Sequence, residues 1–156
     1  MIESNFYKAV SNVGQSVLSG YLGLNVSALQ ERVQLTPIIF SEVSVTIQML
    51  GEIEAQVICT MDYKMATQIV GRMFGGMEVT EMDEMGWSAI QEFGNWFVSG
   101  IATDFSTRGV NVDITHPIVN EGGKSHIREE QQFYVVPLLN DFGMINIYSS
   151  IERKTR

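Results

Sequence analysis

Residues 83–105 read DEMGWSAIQEFGNWFVSGIATDF, and the spacing inside this stretch decides the fold. Successive helical residues are turned by about 100°, so Ala89, Ile90, Phe93, Phe97, Gly100 and Ile101 share one broad side. Ser88, Glu92, Asn95 and Ser99 share a narrow stripe on the other. The acidic residues between Thr80 and Glu84 stand where a helix dipole is positive, and they mark a start. A helix is therefore expected from about Asp83 to Phe105, one face buried and the other showing uncharged polar groups plus one carboxylate. Met85 and Trp96 flank the stripe, giving a polar centre an apolar rim, as docking surfaces often have. Between Lys64 and Arg108 the only cation is Arg72, so Glu92 has no basic partner on its own helix.

The same stretch has an echo. Residues 92–100, EFGNWFVSG, align with residues 12–20, NVGQSVLSG, at an offset of eighty. That offset also carries Pro37-Ile38-Ile39 onto Pro117-Ile118-Val119 without a gap. Three glycine or proline anchors in register imply an internal duplication, with halves near 4–80 and 84–152. Two helices would then be related by a pseudo-twofold axis, their small residues letting each lie close to a sheet or a neighbour. The halves differ where it matters: Glu92 and Asn95 face Asn12 and Gln15, so one copy keeps a carboxylate.

Elsewhere the periods alternate. Ser4 is a candidate N-cap, followed by Phe6, Val10, Val13, Val17 and Tyr21 at helical spacing, with an end near Gly23. Polar sequence through Gln30, Glu31 and Arg32 to Pro37 reads as loop. Val43, Val45, Ile47 and Met49 alternate with polar residues, and Ile53, Ala55, Val57 and Cys59 alternate back, which predicts a hairpin. Asp62 caps a second helix with Met65, Ile69, Val70, Met73 and Phe74 on one face, and Gly75-Gly76 stops it. A Gly-Gly pair can also cradle phosphate, but no P-loop lysine follows. Val110, Val112 and Ile114 run extended up to His116-Pro117, and a last hairpin pairs 133–139 with 144–151 across Asn140-Asp141-Phe142-Gly143. The order predicts one α+β domain over residues 1–156, a mainly antiparallel sheet with long helices against it.

The bulk properties narrow the partners. The formal net charge of −8 disfavours nucleic acid and suits a protein partner with a basic patch beside its site. With 45% hydrophobic and 18% charged residues, some apolar surface is expected to be covered by a partner or a second copy. Cys59 is the single cysteine, which excludes an intrachain disulfide. No apolar run is long enough for a membrane span and no signal-peptide pattern opens the chain, so a cytoplasmic location is expected. Cys59, His116 and His126 lack zinc-ligand spacing, and no metal is assigned. No histidine lies near Ser88 in sequence, which argues against a nucleophilic serine.

The stretch Ser88-x-x-x-Glu92-x-x-Asn95, with Pro117 following after 21 intervening residues, resembles the signature of the CheC/CheX/FliY chemotaxis phosphatases, most of all the CheX type. In that family an Asp or Ser precedes the Glu by four, the Asn follows by three, and a Pro comes about one residue later than here. Phe74-Gly75-Gly76-Met77-Glu78 and Val112-Asp113-Ile114-Thr115-His116-Pro117 extend the likeness over nearly the whole chain. A CheC protein normally carries two Glu-x-x-Asn helices; this chain carries one, as CheX does. Trp96 stands where a smaller aliphatic residue or Met is commoner.

The resemblance implies a CheC-like fold, a homodimer, and removal of the phosphoryl group from a phospho-aspartate on a CheY-type response regulator. Glu92 and Asn95 would be the catalytic pair: Glu92 meets a lysine of the partner, and Asn95 holds water in line with phosphorus. Ser88, Glu92, Trp96 and Ser99 would make the docking surface. No cofactor is implied for the chain itself; Mg²⁺ would come with the partner. For the dimer, the apolar segment 133–139, with Pro137 unable to donate to a ladder, is expected near a sheet edge that a second copy covers. Two other readings stay open from the residues: a CheX-like module that docks without hydrolysis, and a structural element of the flagellar switch.

Overall fold

The computed structural model describes residues 2–35, 42–122 and 132–154. The first helix, α1 (Ile2–Ser16), runs on into a single π turn at Val17–Tyr21. Eight strands follow or interleave: β1 (Val26–Ala28), β2 (Arg32–Leu35), β3 (Val43–Gly51), β4 (Ile53–Met61), β5 (Val112–Ile114), β6 (Ile118–Glu121), β7 (Gln132–Asn140) and β8 (Gly143–Lys154). Helices α2 (Tyr63–Met73) and α3 (Glu84–Thr107) stand between β4 and β5.

The strands form one antiparallel sheet ordered β1-β7-β8-β4-β3-β5, with β2 also on β7 and β6 also on β3. The pairing is mirrored about the β4–β8 seam. β1 and β2 lie along β7 as β5 and β6 lie along β3, an arrangement consistent with duplication. The second proline anchor of the sequence repeat, Pro37-Ile38-Ile39, lies outside the described residues.

Alternation sorts the sheet's faces. Val43, Val45, Ile47 and Met49 of β3 join Ile145 and Ile147 of β8 and the apolar faces of all three helices in the main core. Phe93, Phe97, Ile101 and Phe105 are the contribution of α3 to it, and burying each stabilises by about 1.5–3 kcal/mol. Ile58, Phe133, Val135 and Tyr148 form a separate small cluster. Both helices flanking the Gly-Gly segment start on an aspartate cap. Asp62 Oδ1 accepts from the Met65 N–H at 2.7 Å, and Asp83 Oδ1 from the Gly86 N–H at 2.8 Å. Gly75 and Gly76 both adopt positive φ, 79° and 93°, which ends α2 as expected.

Four expectations need correction. Helix α1 begins at Ile2, so Ser4 is inside it rather than capping it. The polar stretch before Pro37 holds β1 and β2, whose three and four residues are too short to show a period. Where one strand is expected between α3 and the last hairpin there are two: β5 runs up to His116-Pro117 as read, and β6 follows it. Finally, β7 is not an edge, because β1 and β2 of the same chain occupy its outer side. Pro137 falls in the gap between β2, which begins opposite Val135, and β1, which ends opposite Leu138. A missing N–H costs no ladder bond there, and its carbonyl accepts from the Leu29 N–H at 2.9 Å.

Candidate functional site

Helix α3 carries the site, and its placement starts from Gly94. A Cβ on Gly94 would lie 2.7 Å from Pro117 Cβ, 2.9 Å from its Cγ and 2.9 Å from Val45 Cγ1. Only glycine lets the helix come this close to the β5–β6 connection. One turn of the same face adds a clamp: Gln91 Nε2 donates to the Pro117 carbonyl at 2.6 Å. The helix is thus pinned from below at the level of Glu92 and Asn95.

The opposite face is open. Ser88, Glu92 and Ser99 are exposed and Asn95 is half-buried, as the polar stripe predicts. Asn95 Nδ2 donates to Glu92 Oε1 at 3.3 Å, so the two side chains meet across one turn. This leaves the Asn95 carbonyl oxygen and a second N–H able to bind water. Among the described residues no ion pair reaches Glu92; the one found there joins Arg108 to Asp104 at 2.9 Å. An exposed, unpaired carboxylate beside an oriented amide can hold a cation and a water together.

The two sides of the stripe differ in chemistry. Ser88 lines a shallow groove with Glu84, Trp87, Gln91, Val119 and Glu121, two of them carboxylates. Trp96 and Ser99 line another groove, between α1 and α3. Trp96 is half-buried, its ring 6.3 Å from that of Phe93 and 4.8 Å from that of Tyr21. The structure therefore gathers Ser88, Glu92, Asn95, Trp96 and Ser99 along one helix. Met85, the other flank of the stripe, is also exposed.

The counterpart stripe on α1 is arranged differently. Gln15 Nε2 bonds back to the Ser11 carbonyl at 3.3 Å and to its hydroxyl at 3.2 Å. Its amide is tied to its own helix.

Sequence reasoning missed three contributors: Gln91, Gly94 in its contact with Pro117, and Tyr21. A polar Gln directly before Glu92 and a mid-helix glycine were the available signals for the first two. Tyr21 gave a false one, since its spacing from Val17 pointed to the core. Cys59 is fully buried, and burial pushes its thiol up to about 12. His126 lies outside the described residues. Among the described residues no group of three His, Cys, Asp or Glu side chains could hold a metal ion. None of their helices is long and apolar enough to cross a membrane.

An antiparallel sheet whose pairing is mirrored about the β4–β8 seam, with three helices and a solvent-facing Glu-Asn pair on one of them, defines a protein of the CheC-like fold. A chemotaxis protein CheX from Desulfovibrio desulfuricans superposes with a TM-score of 0.83 at 18% identity, over 95% of this chain and 99% of that one. The CheX–CheY–BeF3–Mg²⁺ complex from Borrelia burgdorferi gives 0.78 at 22% identity, over 95% and 98%. At those identities the likeness is one of fold. Family membership rests on sequence: residues 43–139 match the model of the chemotaxis phosphatase CheX, and the chain belongs to that family. The CheY-P phosphatase CheX of Thermotoga maritima is 39% identical over 72 residues. That match spans 46% of this chain and 46% of the relative, about half the length of each.

Proposed function

We propose that this chain hydrolyses the phospho-aspartate of a CheY-type response regulator, using Glu92 and Asn95. The observation that carries the reading is the hydrogen-bonded, solvent-facing Glu92–Asn95 pair on a helix pinned from beneath at Gly94. Its membership of the CheX family supports it, as does the phosphatase named among its relatives. The Borrelia protein was solved with CheY, BeF3 and Mg²⁺, which supports a receiver partner that brings its own metal.

In this reading Glu92 docks on a lysine at the partner's phosphorylation site and sets the helix's register. Asn95 accepts from and donates to one water, aligning its oxygen with phosphorus opposite the aspartyl oxygen. The water oxygen bonds to phosphorus as the bond to the carboxylate oxygen breaks. Inorganic phosphate leaves, the receiver's aspartate carboxylate is restored, and the water's proton passes to phosphate or solvent. Such transfer depends on positioning and charge stabilisation, so an amide that does not titrate serves the purpose. The net charge of −8 helps to steer the chain toward a basic partner.

The setting we propose is cytoplasmic, and the state a homodimer. Of the sheet's two edges, β1/β2 and β5/β6, we place the second copy on β2, where Val33 and Leu35 are 54% and 64% exposed. Light scattering at micromolar concentration tests this, and a mass near 17.5 kDa would end it.

Phosphate release from phosphorylated CheY-type receivers, with and without the protein, tests the catalytic reading. Acceleration that Asn95→Ala lowers by about 10²-fold or more, with binding kept, is expected. Tight binding with no acceleration would replace the phosphatase by a docking module.

A further inference from the structure

The first helix has lost the Glu-Asn pair, yet the structure gives it a place beside the pair that remains. Phe6, Val10, Val13 and Val17 follow helical spacing and are buried; Tyr21 continues the series and is 61% exposed. The cause is the π turn at Val17–Tyr21, which winds the chain more loosely and resets the phase. Leu18 and Leu22 take the core positions instead, and Tyr21 swings out onto Trp96. Their rings meet edge to face at 4.8 Å and 67°. Trp96 is also held by Phe93, which is fully buried, so the pair is anchored to the core.

We propose that Tyr21 and Trp96 form an aromatic shelf that receives an apolar side chain of the phosphorylated receiver domain. This rests on the reading of Glu92 and Asn95 given above and names how the same partner is gripped. Continuity decides the occupant. Trp96 follows Asn95 directly and lies one turn from Glu92, a separation of about 6 Å. A standard interface covers about 800 Å² per partner, a patch about 16 Å in radius, so a receiver seated on Glu92 covers the shelf as well. The shelf opens into the groove of about 470 Å³ between α1 and α3, lined there by Val13, Val17, Ser99 and Gly100. Rigid Trp and Tyr anchors beside a desolvated polar centre are what binding hot spots consist of. The π turn thus moves a residue from the silent half into the working surface.

The test compares Tyr21→Ala, Trp96→Ala, the double variant, Tyr21→Phe and Asn95→Ala in steady-state dephosphorylation of a CheY-type receiver. Binding of the BeF3-treated receiver with Mg²⁺ and light scattering are read alongside. Tyr21→Ala should raise KM and weaken receiver binding by about ten-fold, leaving kcat within about two-fold. Tyr21→Phe should keep wild-type KM, and the double variant should lose less than the product of the single losses. Wild-type KM in Tyr21→Ala, with Asn95→Ala inactive, overturns the shelf and leaves the phosphatase reading standing. Loss of kcat alone, or a drop in oligomeric mass with KM unchanged, also overturns it. In the second case the shelf's occupant is another copy of this chain. Full activity in Asn95→Ala would sink the catalytic reading, while weaker receiver binding in Tyr21→Ala would still support the shelf.

Discussion

Gly94→Ala puts the smallest possible side chain where the helix has no room for one. Its methyl group would sit 2.7 Å from Pro117 Cβ, with Pro117 Cγ and Val45 Cγ1 both at 2.9 Å. Carbon atoms pack best at about 3.5–4.0 Å, so α3 and the β5–β6 connection must separate by about 0.7 Å or more. Little can yield: the proline ring is stiff, Val45 is β-branched in a central strand, and Gln91 holds the Pro117 carbonyl from the next turn. Overpacking of this kind costs about 1–3 kcal/mol, which at this chain length lowers Tm by about 3–10 °C. The displacement falls directly beneath Glu92 and Asn95. A misplacement near 1 Å can cost about 10²-fold in rate, so receiver dephosphorylation should fall by about 10- to 100-fold. Turnover should be measured well below Tm, so that unfolding does not contribute. Gly20→Ala is the control: no atom lies within 4 Å of its Cβ, and its φ is not in the left-handed region. It should leave turnover unchanged and gain about 0.4–1 kcal/mol of stability. If Gly94→Ala turned over within about two-fold of wild type, close seating on Pro117 would not be what positions the pair.

Glu92→Ala should weaken receiver binding, and Glu92→Lys should weaken it further by setting like charges together; salt should imitate a mild version, and a fluorescence titration showing wild-type affinity in both variants would remove Glu92 from the interface. Gln15→Ala should keep both turnover and affinity, because the Gln15 amide is bonded to Ser11 and Asn12 supplies no charge; measurable loss of either would give the first helix a catalytic share. Cys59 should resist a thiol reagent at pH 8 and react once urea unfolds the chain, since its folded thiol titrates near 12. Its raised folded value means that the stability contributed by the neutral thiol is present below the unfolded pKa of about 8.5 and is lost as pH rises toward 12. Rapid labelling of the native protein would contradict this burial.

The parts of the fold that could be read from sequence are those long enough to show a period. Helix α3 spans 24 residues and α2 has both an Asp cap and a Gly-Gly stop, so their bounds came within a few residues. The hairpins β3–β4 and β7–β8 are built from strands of nine or more residues, long enough for an apolar pattern to show. β1 and β2 did not show, because three or four mostly exposed residues are too few to establish a period. That omission is why β7 read as an edge. The stripe Ser88, Glu92, Asn95 and Ser99 was legible because helix geometry alone fixes which residues share a face. What supports it was not, since the Gln91–Pro117 bond spans 26 positions and the Tyr21–Trp96 contact joins the two halves. The π turn left no mark in the pattern, so Tyr21 at its end read as a core position.

On the proposed reading, α1 and α3 differ in what lies beneath the positions that would hold the chemistry. Both rest on glycine, but on different ground. A Cβ on Gly14 would meet the tips of Ile147 and Leu138, at 2.5 and 3.0 Å, side-chain ends with some freedom to turn. Gly94 rests on a proline ring and a β-branched residue, which have little. Position 91 carries an amide long enough to clamp the connection beneath; its counterpart, Ser11, instead receives the Gln15 amide from above. Among the described residues the Glu92–Asn95 pair is held by its own hydrogen bond and by the backbone below it, so its precision depends on how that backbone is seated. Moving Glu and Asn into positions 12 and 15 would therefore not create a second site of equal power. The Ser11 position would still lack its clamp, and the helix would still rest on side-chain tips rather than on a proline ring.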